Sequence, residues 1–137
     1  MSDEQMHQIG EVADTVGLSL RTIRHYEEVD LVPPSGRTAG GFRLYTDDDI
    51  ERLRLVKHMK PLDFSLDEMR TVLELRDTLA DGTPDDSVRE RLVMYAALAE
   101  ERCRNLRAQL ENAEAMAAML RREAGRRPAT GPARRRR

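Results

Sequence analysis

The chain has 137 residues, of which 35% are charged and only 4% aromatic, and its formal net charge is −2. An average domain has about 25% charged residues, so a large enzyme core is not expected here. The sequence shows no signal peptide and no apolar run near the roughly 20 residues of a membrane span. A single cysteine, Cys103, excludes an internal disulfide framework and a cysteine-rich metal cluster. We therefore expect a cytoplasmic protein.

Two short helices separated by a glycine turn are predicted near the N-terminus. Apolar residues recur at helical spacing over 9–16, and Gly17 suits the position just past a helix end. Ser19 is a good N-cap for a second helix from Leu20 to Glu28, and the prolines at 33 and 34 prevent its continuation. Two short helices joined by such a turn form a helix-turn-helix.

A hairpin and two more helices complete the predicted N-terminal domain, which spans 8–80. The Gly-Gly pair within Ser35–Tyr45 lies between two short strand-like stretches, which favours a small β-hairpin, or wing. Thr46 caps a third helix whose first turn contains three aspartates, and this helix ends before Pro61. The residues SLDE at 65–68 form a capping box for a fourth helix.

After a linker at 81–86, a long helix is predicted over 87–124, where neither glycine nor proline occurs. Apolar and small residues alternate there by four and three, the spacing of a coiled-coil seam. The seam consists of Leu92, Ala96, Ala99, Cys103, Leu106, Leu110, Ala113, Ala117 and Leu120. A helix of about 57 Å is too long to be buried on so small a domain, so the simplest partner is a second copy. The arginine-rich segment 125–137 is predicted to be disordered. The fold class is therefore mainly α, with a small hairpin and a long dimerisation helix.

Basic side chains recur in three successive elements of a net acidic segment, which implies that they are gathered on one face. The eight are Arg21, Arg24, Arg37, Arg43, Arg52, Arg54, Lys57 and Lys60. A recognition helix reads bases in the major groove with its N-terminal residues, and arginine is the commonest base reader. A solvated face is the alternative for an isolated pair of arginines, whereas three elements together favour DNA binding.

The stretch IGEVADTVGLSLRTIRHYEEVDLVPPSGRTAGGFRLYTDDDIERL resembles the DNA-binding domain of MerR-type transcription regulators. The later stretch LDFSLDEMRTVL resembles the helix that follows in that family. The resemblance implies a winged helix-turn-helix on each subunit, joined by an antiparallel coiled coil into a twofold homodimer. It further implies binding to a pseudo-palindrome in a promoter spacer too long for RNA polymerase. Bending and untwisting of that DNA would then switch transcription, at a distortion cost of about a few kcal/mol.

The resemblance assigns nine residues to DNA contact. They are Arg21, Thr22, Arg24, His25 and Tyr26 on the recognition helix, Arg37, Phe42 and Arg43 in the wing, and Lys60 beside the phosphate backbone. Arg24 and Arg43 are expected to matter most. Tyr26 can pack on the core while its hydroxyl reaches phosphate, whereas Tyr45 is expected in the core.

Three residues depart from the family pattern. Phe42 stands where many relatives have tyrosine, so a hydroxyl contact to phosphate would be absent. Asp30 and Asp63 stand where glycine is common. Aspartate tolerates left-handed backbone geometry, so the turn at Asp30 can survive. Asp63, close to Lys60, either holds that lysine or weakens its contact with phosphate.

No cofactor or metal is expected, because metal-sensing relatives have cysteines at the start of the long helix and after it. Cys103 is the only thiol, and His7, His25 and His58 all lie in the DNA-binding half. Cys103 is either a small buried residue of the seam or a redox sensor. The effector domain of drug-binding relatives is also not expected, so the inducing signal stays unknown.

Two other classes compete with a promoter switch. An architectural, excisionase-like DNA-bending protein or a simple repressor would share the winged module, although the long helix counts against an excisionase. A coiled-coil adaptor would leave the basic recognition stretch without a purpose. No nucleophile with a matching base, phosphate loop or group of convergent carboxylates stands out, so enzyme activity is not expected.

Overall fold

The computed structural model describes residues 5–82 and 85–128. The elements are β1 (His7–Gln8), α1 (Ile9–Val16), α2 (Leu20–Glu28), β2 (Gly36–Arg37), β3 (Arg43–Tyr45), α3 (Asp47–Met59), a 3-10 turn (Lys60–Leu62), α4 (Leu66–Ala80) and α5 (Asp86–Ala124). The prediction of a mainly α chain with a small hairpin and a long C-terminal helix is confirmed. Every helix in these two ranges is too short or too polar to cross a bilayer.

Local capping signals explain why the predicted helix boundaries agree with the structure. The Ser19 hydroxyl accepts a hydrogen bond from the Thr22 N–H at 3.0 Å, which satisfies one of the free donors at the start of α2. Both Thr46 and Ser65 form capping boxes, with Asp49 and Glu68 as their partners. The helices α2, α3 and α4 therefore begin where the sequence places them, whereas α1 begins after Gln8 without a side-chain cap.

Long-range bonds from lysine and arginine cap the carboxyl ends of the two helix-turn-helix helices. The Lys57 ammonium of α3 donates to the Val16 carbonyl at 2.7 Å, and the Arg70 guanidinium of α4 donates to the Val29 carbonyl at 2.7 Å. A cation at a helix C-terminus is stabilised both by the unpaired carbonyls and by the helix dipole. These bonds join α1 and α2 to the rest of the domain.

The wing belongs to a three-stranded antiparallel sheet in the order β1-β3-β2. The strand β1 was not predicted, because two residues give no alternating pattern and the strand exists only through its pairing with β3. His7 lies opposite Tyr45 in that pairing, and Arg37 lies opposite Arg43 in the pairing of β2 with β3. The segment before α1 thus supports the base of the wing.

The core of the DNA-binding part combines residues from the wing and the first four helices. Its fully buried side chains include Val12, Ile23, Val32, Tyr45, Leu53, Val56, Met69 and Leu73. The prediction that Tyr45 lies in the core is confirmed, since none of its surface is exposed.

The chain divides into two units, residues 1–99 and 100–137, and the first includes the start of α5. Tyr95, Leu98 and Ala99 pack against the core, and the Tyr95 ring lies 6.4 Å from the ring of Phe64. The spacing of apolar residues assigned Ala99 to the dimer seam, whereas Ala99 packs against the core of its own chain. The reason is that these turns of α5 cover one side of a small core.

Gly10 within α1 and Gly17 just past its end are expected to respond to alanine in opposite directions. Gly17 has a left-handed φ of 71°, and a Cβ there would lie 2.8 Å from the Lys57 Nζ. Gly17→Ala should lower the free energy of unfolding by about 1–2 kcal/mol from the backbone alone. Gly10 is helical with open space around it, so Gly10→Ala should raise that free energy by about 1 kcal/mol. Urea unfolding of both variants measures the difference, and changes of the same sign would contradict this account.

His7 joins β1 to two helices through carboxylates. Its Nε2 lies 2.7 Å from an Asp47 oxygen of α3, and its Nδ1 lies 3.0 Å from a Glu11 oxygen of α1. The hydrogen bond with Asp47 is the main cause that raises the pKa of His7 above its ordinary 6.5. A raised folded-state pKa means that the added stability is fully present below the unfolded pKa and is lost as the pH rises through the folded one.

His7→Gln should therefore destabilise the chain more at about pH 6 than at about pH 9. Urea unfolding over this range, compared with the wild type, measures the difference. His58→Gln is the matched control, because His58 is an exposed histidine of α3. An equal effect of His7→Gln at both pH values would mean that the charged form of His7 adds no stability.

Candidate nucleic-acid interface

An open groove of ≈ 970 Å³ runs beside the recognition helix α2. Its α2 side is formed by Arg21, Thr22, Arg24, His25 and Tyr26, and the facing side includes Lys60, Phe64 and Ser65. Six of the nine residues predicted to contact DNA thus line one surface. Residues near the start of α4 complete it, and the sequence had not singled them out.

Three cations of this groove have side chains that are free to bind a ligand. Arg21, Arg24 and Lys60 are exposed, and their side chains make no hydrogen bond or ion pair with any residue in 5–82 or 85–128. The N-terminus of α2 lies beside Arg21 and adds partial positive charge from its free N–H groups. Glu28 is the one acidic residue among the described residues of the lining, so the groove keeps a net positive charge, which suits a polyanion.

The other α2 residues in the groove are more constrained. Tyr26 is buried, with 5% of its surface exposed, and burial raises the pKa of its hydroxyl, which therefore stays a neutral donor at physiological pH. The Thr22 hydroxyl accepts a bond from the Ser19 hydroxyl at 2.8 Å. His25 is exposed, with its ring 5.8 Å from that of Tyr26. Their contacts with DNA stay a prediction.

The wing residues Arg37, Phe42 and Arg43 lie outside this groove but are tied to the same helix. Arg37 and Arg43 both bind Glu27 of α2, a residue that the sequence analysis missed because the contact spans 10 and 16 residues of chain. At the wing tip, 66% of Phe42 is exposed. Its N–H is held by the Thr38 hydroxyl at 3.0 Å. The wing therefore offers an exposed aromatic ring on an ordered turn.

The prediction that eight cations share one face is wrong for three residues of α3. Arg52 binds Asp77 of α4, Arg54 binds Glu51, and Lys57 caps α1. Side chains two residues apart on a helix point about 200° away from each other, so Arg52 and Arg54 cannot both lie on the same face of α3. Arg37 and Arg43 of the wing are also paired, through Glu27, so Arg21, Arg24 and Lys60 are the cations of this set that have no partner among the described residues.

Both unusual aspartates adopt left-handed backbone geometry, with φ of 57° at Asp30 and 60° at Asp63. The turn after α2 is thus preserved without glycine, as the sequence predicted. At Asp63 the backbone N–H donates to the Lys60 carbonyl at 3.1 Å. The Lys60 ammonium has no partner among the described residues, so this structure does not show Asp63 holding it.

Several apolar side chains predicted for the dimer seam are exposed within residues 100–124. Exposure is 41% for Leu106, 58% for Leu110 and 56% for Leu120, and Ala113 and Ala117 are also exposed. Within the first unit, Leu92 is half-buried and Ala96 is exposed. An isolated chain would leave this apolar stripe in water, and the assignment of the seam to a dimer stays a prediction.

Cys103 is a half-buried free thiol on α5. Within residues 5–82 and 85–128, no group of three His, Cys, Asp or Glu side chains is arranged to hold a metal ion. Both the redox role of Cys103 and the expectation of no metal stay predictions. Of the predicted tail at 125–137, residues 129–137 lie outside the described residues, as do residues 83 and 84 of the predicted linker.

Family models match both parts of the chain. A model described as MerR HTH family regulatory protein matches residues 8–75, and one described as MerR, DNA binding matches residues 50–122. Among curated relatives, the HTH-type transcriptional regulator ZntR of Escherichia coli K12 is 40% identical over 90 residues. This match covers 64% of this chain and 64% of ZntR, so the chain spans less than two thirds of that relative's length.

Two solved structures share the fold. The N-terminal part of MtaN, the Bacillus subtilis multidrug transporter activator, is 30% identical with a TM-score of 0.54, covering 86% of this chain and 97% of that one. HiNmlR, a regulator lacking the sensor domain and bound to promoter DNA, is 25% identical with a TM-score of 0.60, covering 88% and 89%. ZntR and HiNmlR are described as regulators, which agrees with the prediction of a regulator rather than an enzyme.

Proposed function

Because the chain belongs to the MerR family of helix-turn-helix regulatory proteins, we propose that it is a sequence-specific, DNA-binding transcription regulator. Binding to a bacterial promoter would place its action in the cytoplasm. The observation that carries this proposal is the groove beside α2, where Arg21, Arg24 and Lys60 have free cationic side chains.

The free cations fit two different tasks in DNA recognition. Arg21 and Arg24 lie near the start of α2, the part of a recognition helix that reaches base edges in the major groove. Arginine there can donate two hydrogen bonds to guanine O6 and N7. Lys60 follows α3 and suits a phosphate, which fixes register without reading sequence. The structure of HiNmlR on promoter DNA supports this use of the fold.

A homodimer would double these contacts on a pseudo-palindromic site. The apolar stripe at Leu106, Leu110 and Leu120 is exposed in the single chain, and its alternating spacing suits a coiled coil with a second copy. Two recognition helices related by a twofold axis would then read two half-sites. The antiparallel arrangement is the one that the family resemblance implies.

We further propose that this dimer acts at the promoter together with RNA polymerase. The operator would lie between the two promoter elements, and bending and untwisting would bring both elements into register. Such distortion costs about 1–6 kcal/mol, which an effector could supply through tighter binding to one state.

A footprint of the purified protein on its own upstream DNA, aligned with the mapped transcription start, tests the proposal. Protection centred between the promoter elements, with enhanced cleavage at its middle, is the expected result. Protection outside the spacer would instead indicate a simple repressor or an architectural DNA-bending protein. Binding no stronger than to unrelated DNA would contradict sequence-specific regulation altogether.

A further inference from the structure

One carboxylate connects the recognition helix to both strands of the wing. An oxygen of Glu27 on α2 accepts a hydrogen bond from the Arg37 Nη2 of β2 at 2.9 Å, and the other oxygen accepts one from the Arg43 Nε of β3. The Glu27 side chain is only 19% exposed, compared with 48% for Arg37 and 29% for Arg43. The three residues form a partly desolvated cluster, where charge-assisted hydrogen bonds are stronger than in open water.

The register of the wing explains why a carboxylate is needed at this position. Arg37 and Arg43 lie directly opposite each other in the β2–β3 pairing, and like charges in such a cross-strand pair destabilise the sheet. Glu27 lies against both guanidinium groups and offsets their repulsion. Arg37 also donates from its Nη1 to the Gly41 carbonyl at 3.0 Å, so the same cluster closes the turn at the wing tip.

The position of Glu27 within α2 argues against a role in the helix itself. The helix ends at Glu28, and a negative charge near a helix C-terminus interacts unfavourably with the helix dipole. A carboxylate on a surface meant for phosphates also opposes DNA binding through its charge. Both unfavourable effects, with the helix dipole and with phosphate, are explained if the Glu27 carboxylate holds the wing.

We propose that Glu27 is a positioning residue that fixes the wing relative to the recognition helix and thereby sets specificity for DNA sequence. This inference rests on the proposed function. Specific binding requires α2 and the wing to meet the groove and the backbone in one register, whereas non-specific binding needs only positive charge. Loss of the Glu27 charge should therefore weaken specific binding while it strengthens non-specific binding.

The test compares Glu27→Gln with Asp14→Asn in the full chain. Both changes replace a carboxylate of the helix-turn-helix by its amide. Asp14 on α1 is exposed, lies outside the groove and has no side-chain partner among the described residues. The probes are a duplex enriched by the wild-type protein from a random-sequence pool and a scrambled duplex of the same composition. For Glu27→Gln, the ratio of specific to non-specific affinity should fall at least about tenfold, a change of about 1.4 kcal/mol. For Asp14→Asn, the specific and the non-specific affinity should change by the same factor, so their ratio should not change.

An NMR signal reports the contact between Glu27 and the wing in the absence of DNA. The Arg43 Nε–H, bonded to Glu27, should give a slowly exchanging ¹H–¹⁵N resonance. It should shift and exchange faster in Glu27→Gln and change little in Asp14→Asn. Glu27→Asp keeps the charge but shortens the side chain, so it should fall between the wild type and Glu27→Gln. If Glu27→Gln does not fold, Glu27→Asp replaces it in both measurements.

An unchanged affinity ratio in a folded Glu27→Gln protein, or an unchanged Arg43 resonance, overturns the inference and leaves the proposed function intact. A wild-type protein that enriches no sequence contradicts the proposed function instead. In that case the Arg43 resonance alone decides whether Glu27 holds the wing.

Discussion

Arg24→Ala is expected to lower the affinity for the enriched duplex by between about 30-fold and about 10⁴-fold, while the protein stays folded and dimeric. Arg24 is exposed on α2 and has no side-chain partner in the described part of the chain, so its removal leaves no buried group unpaired. One bidentate contact of arginine with a base is worth about 1–3 kcal/mol. A twofold dimer loses it twice, about 2–6 kcal/mol, and about 1.4 kcal/mol corresponds to tenfold.

The measurement is a titration of both duplexes at fixed salt concentration, since affinity for DNA depends strongly on salt. Arg54→Ala is the matched control, because it removes an arginine that binds Glu51 away from the groove. It should reduce both affinities slightly and equally. Retention of full sequence preference by Arg24→Ala would show that α2 is not the reading helix.

Leu106→Glu should raise the dissociation constant of the dimer by at least about 10³-fold. Leu106 lies on α5 with 41% of its surface exposed in the single chain, so the change should not disturb the fold of the monomer. Truncating a buried leucine costs about 2–5 kcal/mol, and a homodimer pays this twice. Two carboxylates brought into an apolar seam would add a desolvation penalty.

Sedimentation over a range of protein concentrations measures this dissociation. Ala108→Glu is the matched control, since it adds the same charge at an exposed position on the opposite side of the predicted seam. That variant should stay dimeric. Persistence of the Leu106→Glu dimer at low concentration would mean that the seam is wrongly placed, or that this helix face does not contact a second copy.

Signals confined to a few neighbouring residues made most of the fold predictable. The hydroxyls of Ser19, Thr46 and Ser65 each accept a hydrogen bond from the backbone N–H three residues further on. The starts of these helices therefore follow from local chemistry. The glycine pair at 40 and 41 likewise marked the wing. The α2 residues of the candidate site were found in the same way, because a recognition helix carries its reading residues in one short stretch.

Contacts between distant segments could not be predicted from one sequence. The strand β1 depends on β3 some 36 residues later, and Glu27 gains its role only when the wing folds back onto α2. The sequence analysis grouped Lys57 with the cations expected to face DNA, yet its ammonium donates a hydrogen bond to the Val16 carbonyl. In each case the sequence shows the residue type, whereas the tertiary fold determines which group that residue contacts.

The contact between Lys57 and the end of α1 has a consequence for how this sequence can change over generations. Because a Cβ at Gly17 would lie 2.8 Å from the Lys57 Nζ, a side chain there would displace this ammonium from the Val16 carbonyl. We therefore expect mutations at the two positions to be non-additive. A side chain at 17 is better tolerated once position 57 has become shorter, so the order of the two mutations matters. Homologues without glycine at this turn should therefore also lack a long cation at the position of Lys57.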